Sequence, residues 1–452
     1  MIKRKVEQQI RDFLLNDRRS LLVTGARQVG KTFLIRKVGK ECFENFVEIN
    51  FVEQPEAIAL FEGQKGAKDL LLRLSALVHK PLVPGKTLIF FDEVQRCKEI
   101  VTAIKFLVDE GSYKYVMSGS LLGVELDDLR SVPVGYMVEK KMYPLDLLEF
   151  FEAIGISKEV IEHLRGCFQE KRPVDDFIHQ RLLEAVRLYM IVGGMPAAVQ
   201  RYLDTNNLKL VYEEQRGIIQ TYKMDITQYD KARKLQIEEI YDLIPSELNA
   251  KNKRFILKEL NEKARFSKYE EGFLWLKDAG VAIPTYNVEE PRVPLLLSKQ
   301  RNLFKLFLND VGLLAAMYGG NIQTRLLSNE SNINYGSVFE NLVAQELYAH
   351  GFAVEHALYY FNSKKQGELD FVLEYNDAVL PIEVKSGKDF VRHNALSNVL
   401  ENKEYEIPSA FVFCQDNVKT QGKITYVPIY LIAFLEQISV EENIYKFDLS
   451  GL

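Results

Sequence analysis

The chain has 452 residues, which is more than one hydrophobic core usually serves, so roughly two to four domains are expected. Its composition, with 47% hydrophobic and 27% charged residues, is that of an ordinary globular protein. The formal net charge of −5, from 58 basic and 63 acidic residues, argues against a protein that coats nucleic acid nonspecifically, but it leaves a DNA or RNA partner open.

The pattern of apolar residues and cysteines points to a reducing, aqueous compartment. No uninterrupted apolar run reaches the length of a membrane span. The first residues are basic, but Val6, Ile10 and Leu14 recur at helical spacing, as in an amphipathic helix rather than a signal peptide. The 4 cysteines lie far apart and form no C-x-x-C pair. We therefore expect a cytoplasmic protein with no membrane partner.

A phosphate-binding loop follows the first predicted strand, Leu21–Val23. Its sequence, G-A-R-Q-V-G-K-T, matches the pattern G-x-x-x-x-G-K-[ST] and leads into a predicted helix. Glycines let the backbone approach an anion, and successive N–H groups at a helix N-terminus bind phosphates. Lys31 is expected to act on the outer phosphates of ATP, and the Thr32 hydroxyl is expected to ligate Mg²⁺. The predicted nucleotide-binding residues are Gly25, Ala26, Arg27, Gln28, Val29, Gly30, Lys31 and Thr32.

Two acidic residues end a second strongly apolar strand, which begins at Thr87. Asp92 is expected to hold Mg²⁺ directly or through water, and Glu93 is expected to polarise the attacking water. Ser118 ends the next strand, where it either senses the γ-phosphate or caps the following helix. Arg130 either stabilises charge during hydrolysis or is a surface residue. Strands alternate with helices here, so we predict a parallel α/β sheet whose carboxyl ends bring these motifs together.

The middle of the chain is predicted to be helical from Leu147 to about Leu243, with a break at Gly193–Pro196. We interpret this segment as a helical lid or connector. From about residue 250 to 300, two helices are followed by short strands at Val281–Ile283 and Val293–Leu297, the order of a winged helix. The candidate reading helix carries a net charge of about −1, which favours a domain-packing module over a DNA reader.

The N-terminal motifs resemble those of the AAA+ superfamily, specifically prokaryotic single-chain ATPases. The segments that carry this resemblance are Gly25–Thr32, Phe91–Arg96 and Ser118–Ser120. It extends over essentially the whole chain, because Gly193–Pro196, Asn309–Ala316 and Glu383–Lys385 are similar to the region C-terminal to the ATPase in a widespread family. The second part of that family is catalogued as a domain of unknown function.

A second set of residues resembles the PD-(D/E)xK nuclease signature. It consists of Asp370 and the Glu383-x-Lys385 triplet, with Glu340 as the additional acid on a preceding helix. If the two strands form a hairpin centred on Asn376-Asp377, Asp370 and Glu383 lie directly opposite each other, and Lys385 shares their face. The resemblance implies Mg²⁺ held by Glu340, Asp370 and Glu383, with Asp370, Glu383 and Lys385 catalytic. The competing interpretation is a polar strand pair in a fold kept as a binding module.

These observations predict an α/β multidomain protein. We expect a P-loop AAA+ core (1–150), a helical lid or connector (151–245), a winged-helix-like domain (246–302) and a restriction-endonuclease-like domain (303–452). The expected function is Mg²⁺-dependent ATP hydrolysis coupled to a nuclease-like domain that acts on or near DNA or RNA. The alternative is a nucleotide-dependent signalling or scaffold switch with an inactive C-terminal domain that binds a protein partner or another copy of the chain.

Overall fold

The computed structural model describes residues 2–63, 66–78, 80–120, 135–229, 234–250, 254–255, 266–327, 336–353, 357–387 and 389–437. Within these residues the chain forms two β-sheets with helices between and around them. Arg130, a candidate from the sequence, lies outside the described residues.

The N-terminal sheet consists of five parallel strands. The strands are β1 (Ser20–Thr24), β2 (Asn45–Asn50), β3 (Thr87–Asp92), β4 (Lys114–Ser118) and β5 (Met137–Lys141), in the spatial order β2-β3-β4-β1-β5. Helices α1 (Lys5–Asn16) and α2 (Lys31–Cys42) cover one face, and α3 (Ala67–Leu77) and α4 (Lys98–Glu110) cover the other. Short 3-10 helices occur at Pro55–Phe61 and Val94–Arg96. Helices on both faces bury β1 and β3 along their whole length, which confirms the predicted parallel sheet.

Helices dominate the following segment, as predicted. They are α5 (Leu147–Ala153), α6 (Lys158–Gln169), α7 (Asp176–Val192), α8 (Pro196–Thr205), α9 (Leu208–Tyr229), α10 (Lys234–Asn249) and α11 (Phe266–Asp278). The break between α7 and α8 lies at the Gly-Gly-Met-Pro segment, where Gly193 has a φ of 71° and Pro196 starts the new helix.

Among the described residues, no single helix is long and apolar enough to span a membrane, although α7 and α8, bent by 120°, would together qualify by length and composition.

The second sheet has eight strands of mixed direction. They are β6 (Ala282–Val288), β7 (Lys299–Leu308), β8 (Leu358–Ser363), β9 (Gly367–Tyr375), β10 (Ala378–Val384), β11 (Ala410–Cys414), β12 (Lys419–Gln421) and β13 (Ile424–Pro428), in the order β12-β13-β11-β10-β9-β8-β6-β7. The accompanying helices are α12 (Val311–Met317), α13 (Gly320–Leu327), α14 (Gly336–Ala349) and α15 (Asn394–Glu401). Short 3-10 helices occur at Leu295–Ser298, Lys403–Tyr405 and Ile429–Phe434.

The prediction of a strand at Val293–Leu297 is wrong. Leu295–Ser298 form a 3-10 helix, and Pro294 has no N–H group to contribute to a sheet; the second strand is β7. β6 pairs antiparallel with β7 and parallel with β8, so the hairpin extends the C-terminal sheet. The domain boundary expected between residues 302 and 303 therefore falls inside β7.

The predicted register of the β9–β10 hairpin is confirmed. Tyr375 pairs with Ala378, and Phe371 pairs with Ile382. Asn376 and Asp377 form the turn with φ values of 51° and 58°, as a two-residue hairpin turn requires. One step further along this register, Asp370 lies opposite Glu383.

A continuous apolar core connects the two sheets. Val23 of β1, Tyr189 of α7, Leu308 of β7, Leu342 of α14 and Ile382 of β10 all belong to one cluster of buried side chains. Separate clusters cover the outer face of each sheet. Because this core is shared, the two sheets are held in contact by apolar packing.

Candidate functional site

The phosphate-binding loop lies between β1 and α2, at the carboxyl end of the parallel sheet. Gly25, Gln28 and Gly30 have φ values of 130°, 65° and 93°, so the loop turns through conformations that glycine adopts most readily. A methyl group at Gly25 would overlap the carbonyl oxygen of Met142, which follows β5. The close approach of this neighbouring segment explains why glycine is needed at position 25.

Lys31 is folded back onto the loop. Its Nζ donates hydrogen bonds to the carbonyl oxygens of Gly25 at 2.9 Å and Ala26 at 2.8 Å. Burial lowers the pKa of Lys31 to about 8, and the carboxylates of Glu93 and Asp92 offset part of this effect. A phosphate group would provide an additional counter-charge for this ammonium.

Asp92, at the end of β3, is the centre of a polar cluster. Its carboxylate accepts hydrogen bonds from the Thr32 hydroxyl at 3.1 Å, the Asn50 amide at 3.1 Å and the Ser118 hydroxyl. Burial raises the pKa of Asp92, while the two hydroxyl groups favour its ionised form. Hydroxyl and carboxylate oxygens are the ligands that Mg²⁺ prefers, so Thr32 and Asp92 fit the predicted metal role.

The sequence left the role of Ser118 open, and in the structure its side chain contacts Asp92. In this structure the Ser118 hydroxyl orients the carboxylate of Asp92. Asn50 was missed, although its position at the end of the neighbouring strand β2 was a usable signal.

Glu93 directly follows β3 and has a left-handed backbone, with a φ of 57°. Its carboxylate accepts a hydrogen bond from the amide of Gln95. This backbone conformation is uncommon outside glycine and is often found at functional sites. Glu93 is thus positioned by its own strand-to-helix turn, next to Asp92.

Helix α9, which belongs to the helical segment that follows the parallel sheet, contacts the phosphate-binding loop. Arg27 forms an ion pair with Asp225, and Gln28 donates a hydrogen bond to the Thr221 hydroxyl at 3.4 Å. Burial raises the pKa of Asp225, and Arg27 partly offsets that effect. Sequence reasoning missed Asp225 because nearly 200 positions separate it from Arg27.

An apolar cleft opens beside the loop, between α2 and the start of α8. Its lining residues are Ile2, Arg4, Glu7, Gly30, Phe33, Leu34, Pro196, Ala197 and Gln200. Phe33 is 55% exposed at this cleft. Ligand-binding clefts are typically lined mainly by apolar side chains with a few polar groups.

A hydrogen-bonded chain leads from the loop to the C-terminal sheet. The Tyr222 hydroxyl donates to the carbonyl of Arg27 at 3.2 Å and accepts from the Asn309 amide at 3.4 Å. The adjacent Asp310 accepts from the N–H of Gly194 at 2.6 Å and from the N–H of Leu313 at 2.9 Å. Two motifs noted in the sequence, Gly193–Pro196 and Asn309–Ala316, therefore contact each other.

The C-terminal acidic residues come together as their register predicts. Asp370 accepts a hydrogen bond from the Val384 N–H at 2.8 Å, and Glu383 accepts one from Lys385 Nζ at 2.7 Å. Burial and the neighbouring Asp370 carboxylate raise the pKa of Glu383 to about 8, although Lys385 acts in the opposite direction. Glu340 is buried on α14, which packs across the same sheet.

Lys305 of β7 is a further member of this cluster that sequence reasoning missed. Its side chain is 0% exposed, and its Nζ lies 2.7 Å from Glu368 Oε1. Burial alone would lower the pKa of Lys305, but the carboxylates of Glu340, Glu368 and Asp370 outweigh it and raise the pKa. In the described part of the chain, no three or more His, Cys, Asp or Glu side chains are arranged to hold a metal ion.

The parallel sheet, the loop and the Asp92 cluster define a P-loop nucleotide-binding protein. Residues 17–151 match the family model described as an AAA domain, so this chain carries an AAA+ P-loop ATPase core. Two further models, both described as domains of unknown function (DUF8612 and DUF4143), match residues 183–324 and 335–432. No curated protein matches the chain.

Three solved structures align with most of the chain at low sequence identity. The Walker-type ATPase PABY2304 of Pyrococcus abyssi is 16% identical with a TM-score of 0.44, covering 70% of this chain and 96% of its own. The Aeropyrum pernix ORC1 protein, solved in complex with DNA, is 14% identical with a TM-score of 0.31 and coverages of 72% and 95%. The Thermotoga maritima RuvB branch migration motor is 14% identical with a TM-score of 0.31 and coverages of 65% and 91%.

Proposed function

We propose that this protein is an ATP-driven switch in which hydrolysis at the phosphate-binding loop controls how the C-terminal sheet engages a nucleic acid. The observation that carries the proposal is the chain of contacts from the Arg27 carbonyl through Tyr222 and Asn309 to Asp310. Asn309 and Asp310 directly follow β7, the strand that contributes Lys305 to the C-terminal acidic cluster. β7 therefore carries a residue of the C-terminal cluster and leads into Asn309, which is linked to the loop through Tyr222.

In the proposed reaction each residue of the loop has a separate task. Lys31 exchanges its two loop carbonyls for the outer phosphates of ATP, and the apolar cleft beside Phe33 and Pro196 receives the base. Thr32 and Asp92 would hold Mg²⁺, which would supply positive charge to the phosphates. Glu93 orients and deprotonates the attacking water. Sites of this type depend mainly on positioning and electrostatic stabilisation.

The proposed coupling between the nucleotide site and the C-terminal sheet follows from the hydrogen bonds that must break when ATP binds. When Lys31 leaves the carbonyls of Gly25 and Ala26, the loop loses two internal hydrogen bonds next to Arg27. Arg27 is tied to α9 through Asp225, and its carbonyl is tied to Tyr222. A change in the loop therefore reaches α9 and the start of α12 through direct contacts.

Nucleic acid is the partner class that the nuclease-like motif of Asp370, Glu383 and Lys385 favours, either as a substrate to be cleaved or as a ligand that is only bound. A protein partner or another copy of the chain is the competing class. The two classes differ in two readily measured properties. A nucleic-acid partner should stimulate ATP hydrolysis and should bind with an affinity that depends on the nucleotide.

The test uses the full chain with linear, single-stranded and branched DNA and with RNA, in the presence of Mg²⁺. Steady-state ATP hydrolysis and binding by fluorescence anisotropy are measured with ATP, with ADP and without nucleotide. We expect Lys31→Ala to abolish hydrolysis and the nucleotide effect on binding, and Lys40→Ala, an exposed lysine on the same helix, to change neither. Absence of both stimulation and binding on every nucleic acid would favour the protein partner.

Cleavage is read in the same reactions. Products that appear with wild type and disappear with Asp370→Asn would identify a metal-dependent nuclease. Binding without cleavage would identify a nucleic-acid-binding module.

A further inference from the structure

Lys305 occupies an unusual position for a lysine. It lies on β7, is completely buried, and places its ammonium 2.7 Å from Glu368 Oε1 and 4.9 Å from the centroid of the Tyr360 ring. A buried ammonium is costly unless carboxylates compensate it. The acidic side chains around it therefore compensate the buried charge.

Those acidic side chains include two that the nuclease resemblance assigns to a metal ion. Besides Glu368, the carboxylates of Glu340 and Asp370 attract the Lys305 ammonium. An ammonium and a divalent cation stabilise such a group in the same way, by supplying positive charge between carboxylates. A buried ammonium and a divalent cation that share these carboxylates would compete, because like charges in a buried site repel strongly.

Other carboxylate oxygens of the cluster are also engaged. Asp370 Oδ2 accepts the N–H of Val384 at 2.8 Å, and Glu383 Oε2 accepts Lys385 Nζ at 2.7 Å. Among the described residues, no group of three acids, histidines or cysteines has an arrangement that could hold a metal. The residues present do not fit the resident divalent cation that the resemblance implies.

We propose that Lys305 takes the place of that metal, so that the C-terminal centre is charge-compensated by the protein itself and engages its partner without a divalent cation. This inference rests on the proposed function of the C-terminal sheet as a partner-binding surface. It replaces the nuclease reaction with binding. It also makes Lys305 a positioning residue that joins β7 to the acids of β9 and α14.

The inference is tested by Mn²⁺ binding to nucleotide-free full-length protein, followed by electron paramagnetic resonance. Every protein in the series carries Asp92→Asn, so that the nucleotide site contributes no metal. The series compares Lys305 with Lys305→Gln, which removes the charge, and Lys305→Arg, which keeps it. Asp370→Asn is then added to each protein. Circular dichroism and thermal unfolding establish which variants are folded.

In the proteins that carry Lys305 or Lys305→Arg, we expect the Mn²⁺ signal to be the same with and without Asp370→Asn. With Lys305→Gln, we expect one additional bound Mn²⁺ per chain, which Asp370→Asn removes. Mn²⁺ bound by the Lys305 protein and lost on Asp370→Asn would overturn the inference, and that comparison needs only variants that retain Lys305. Because no DNA, RNA or ATP is present, this result is independent of whether nucleic acid proves to be the partner.

Discussion

At the scale of single residues, Asp310 combines two structural tasks. It caps the N-terminus of α12 through the N–H of Leu313, and it holds the Gly-Gly break through the N–H of Gly194. Burial raises the pKa of Asp310 to about 6, although these N–H groups favour the ionised carboxylate. The same side chain is adjacent to Asn309, which contacts Tyr222. The protonation state of Asp310 therefore bears on the junction between the two halves of the protein.

This raised pKa predicts a pH-dependent stability. The folded protein binds the Asp310 proton more tightly than the unfolded chain, whose pKa is 3.8. The resulting stabilisation is complete below about pH 4 and is lost as the pH rises through about 6, and it amounts to roughly 3 kcal/mol. Asp310→Asn does not titrate. We expect the difference in unfolding free energy between wild type and variant to fall by most of that amount from pH 4 to pH 7.

The difference is measured by urea unfolding at closely spaced pH values. Comparing the two proteins at each pH removes the contributions of all other titrating groups. A difference that stays constant from pH 4 to pH 7 would show that Asp310 titrates alike in the folded and unfolded chains.

Site residues in local motifs that follow a strand could be predicted from the sequence, whereas residues brought in from distant elements could not. Thr32, Asp92 and Glu93 follow local patterns, so their neighbourhood was predictable. Asp225 reaches the loop from α9, and Lys305 is a lysine in a strand, which the sequence alone marks as exposed. Only the folded arrangement shows that carboxylates compensate its charge.

At the scale of elements, the break between α7 and α8 is a tight steric junction. The N–H of Leu145 donates to the carbonyl of Gly194 at 2.7 Å, and a methyl group at Gly194 would overlap the Leu145 carbonyl oxygen. Gly312 lies as closely against Gly193, since a methyl group on Gly312 would come within 2.6 Å of the Gly193 nitrogen. Glycine is needed here for the close approach of three backbone segments.

Gly194→Ala is therefore expected to be destabilising. The backbone of Leu145 cannot move without disturbing α5, so overpacking should cost about 1–3 kcal/mol of unfolding free energy. The matched control is Gly217→Ala on α9, where an added methyl group meets nothing within 4 Å. That control should stabilise the protein by about 0.5–1 kcal/mol, because alanine is the better helix former. Urea unfolding of both variants measures the two changes in unfolding free energy. A Gly194→Ala protein as stable as wild type would contradict the prediction.

Strand pairing was predictable where a short turn determined it. The two-residue turn at Asn376-Asp377 determined the β9–β10 register, and with it the placement of Asp370 opposite Glu383. β7 was missed because its first residues are polar and because the preceding apolar run, Leu295–Leu297, lies in the 3-10 helix Leu295–Ser298. That apolar run contains no signal separating a strand from a helical turn.

At the scale of the whole molecule, the continuous core and helix α14 tie the ATPase sheet to the C-terminal sheet. α14 is buried from Ser337 to Tyr348. Its Asn341 accepts the N–H of Leu308, and its Glu346 accepts the N–H of Leu147. Large apolar interfaces resist free domain motion. Nucleotide-dependent changes should therefore be small rearrangements that are transmitted through direct contacts. The hydrogen bonds of the Tyr222 hydroxyl are among these contacts.

Tyr222→Phe tests this transmission, because it keeps the buried ring and removes only the hydroxyl between the Arg27 carbonyl and the Asn309 amide. Coupling between two sites typically amounts to a roughly 5–150-fold change in affinity. We expect the ratio of nucleic-acid affinities measured with ATP and with ADP to approach one in this variant, while ATP still binds. Tyr212→Phe, on the same helix, serves as the control and should retain the wild-type ratio. Fluorescence anisotropy in both nucleotides gives the ratio directly; an unchanged ratio in Tyr222→Phe would mean that the nucleotide state reaches the C-terminal sheet through the packed core instead.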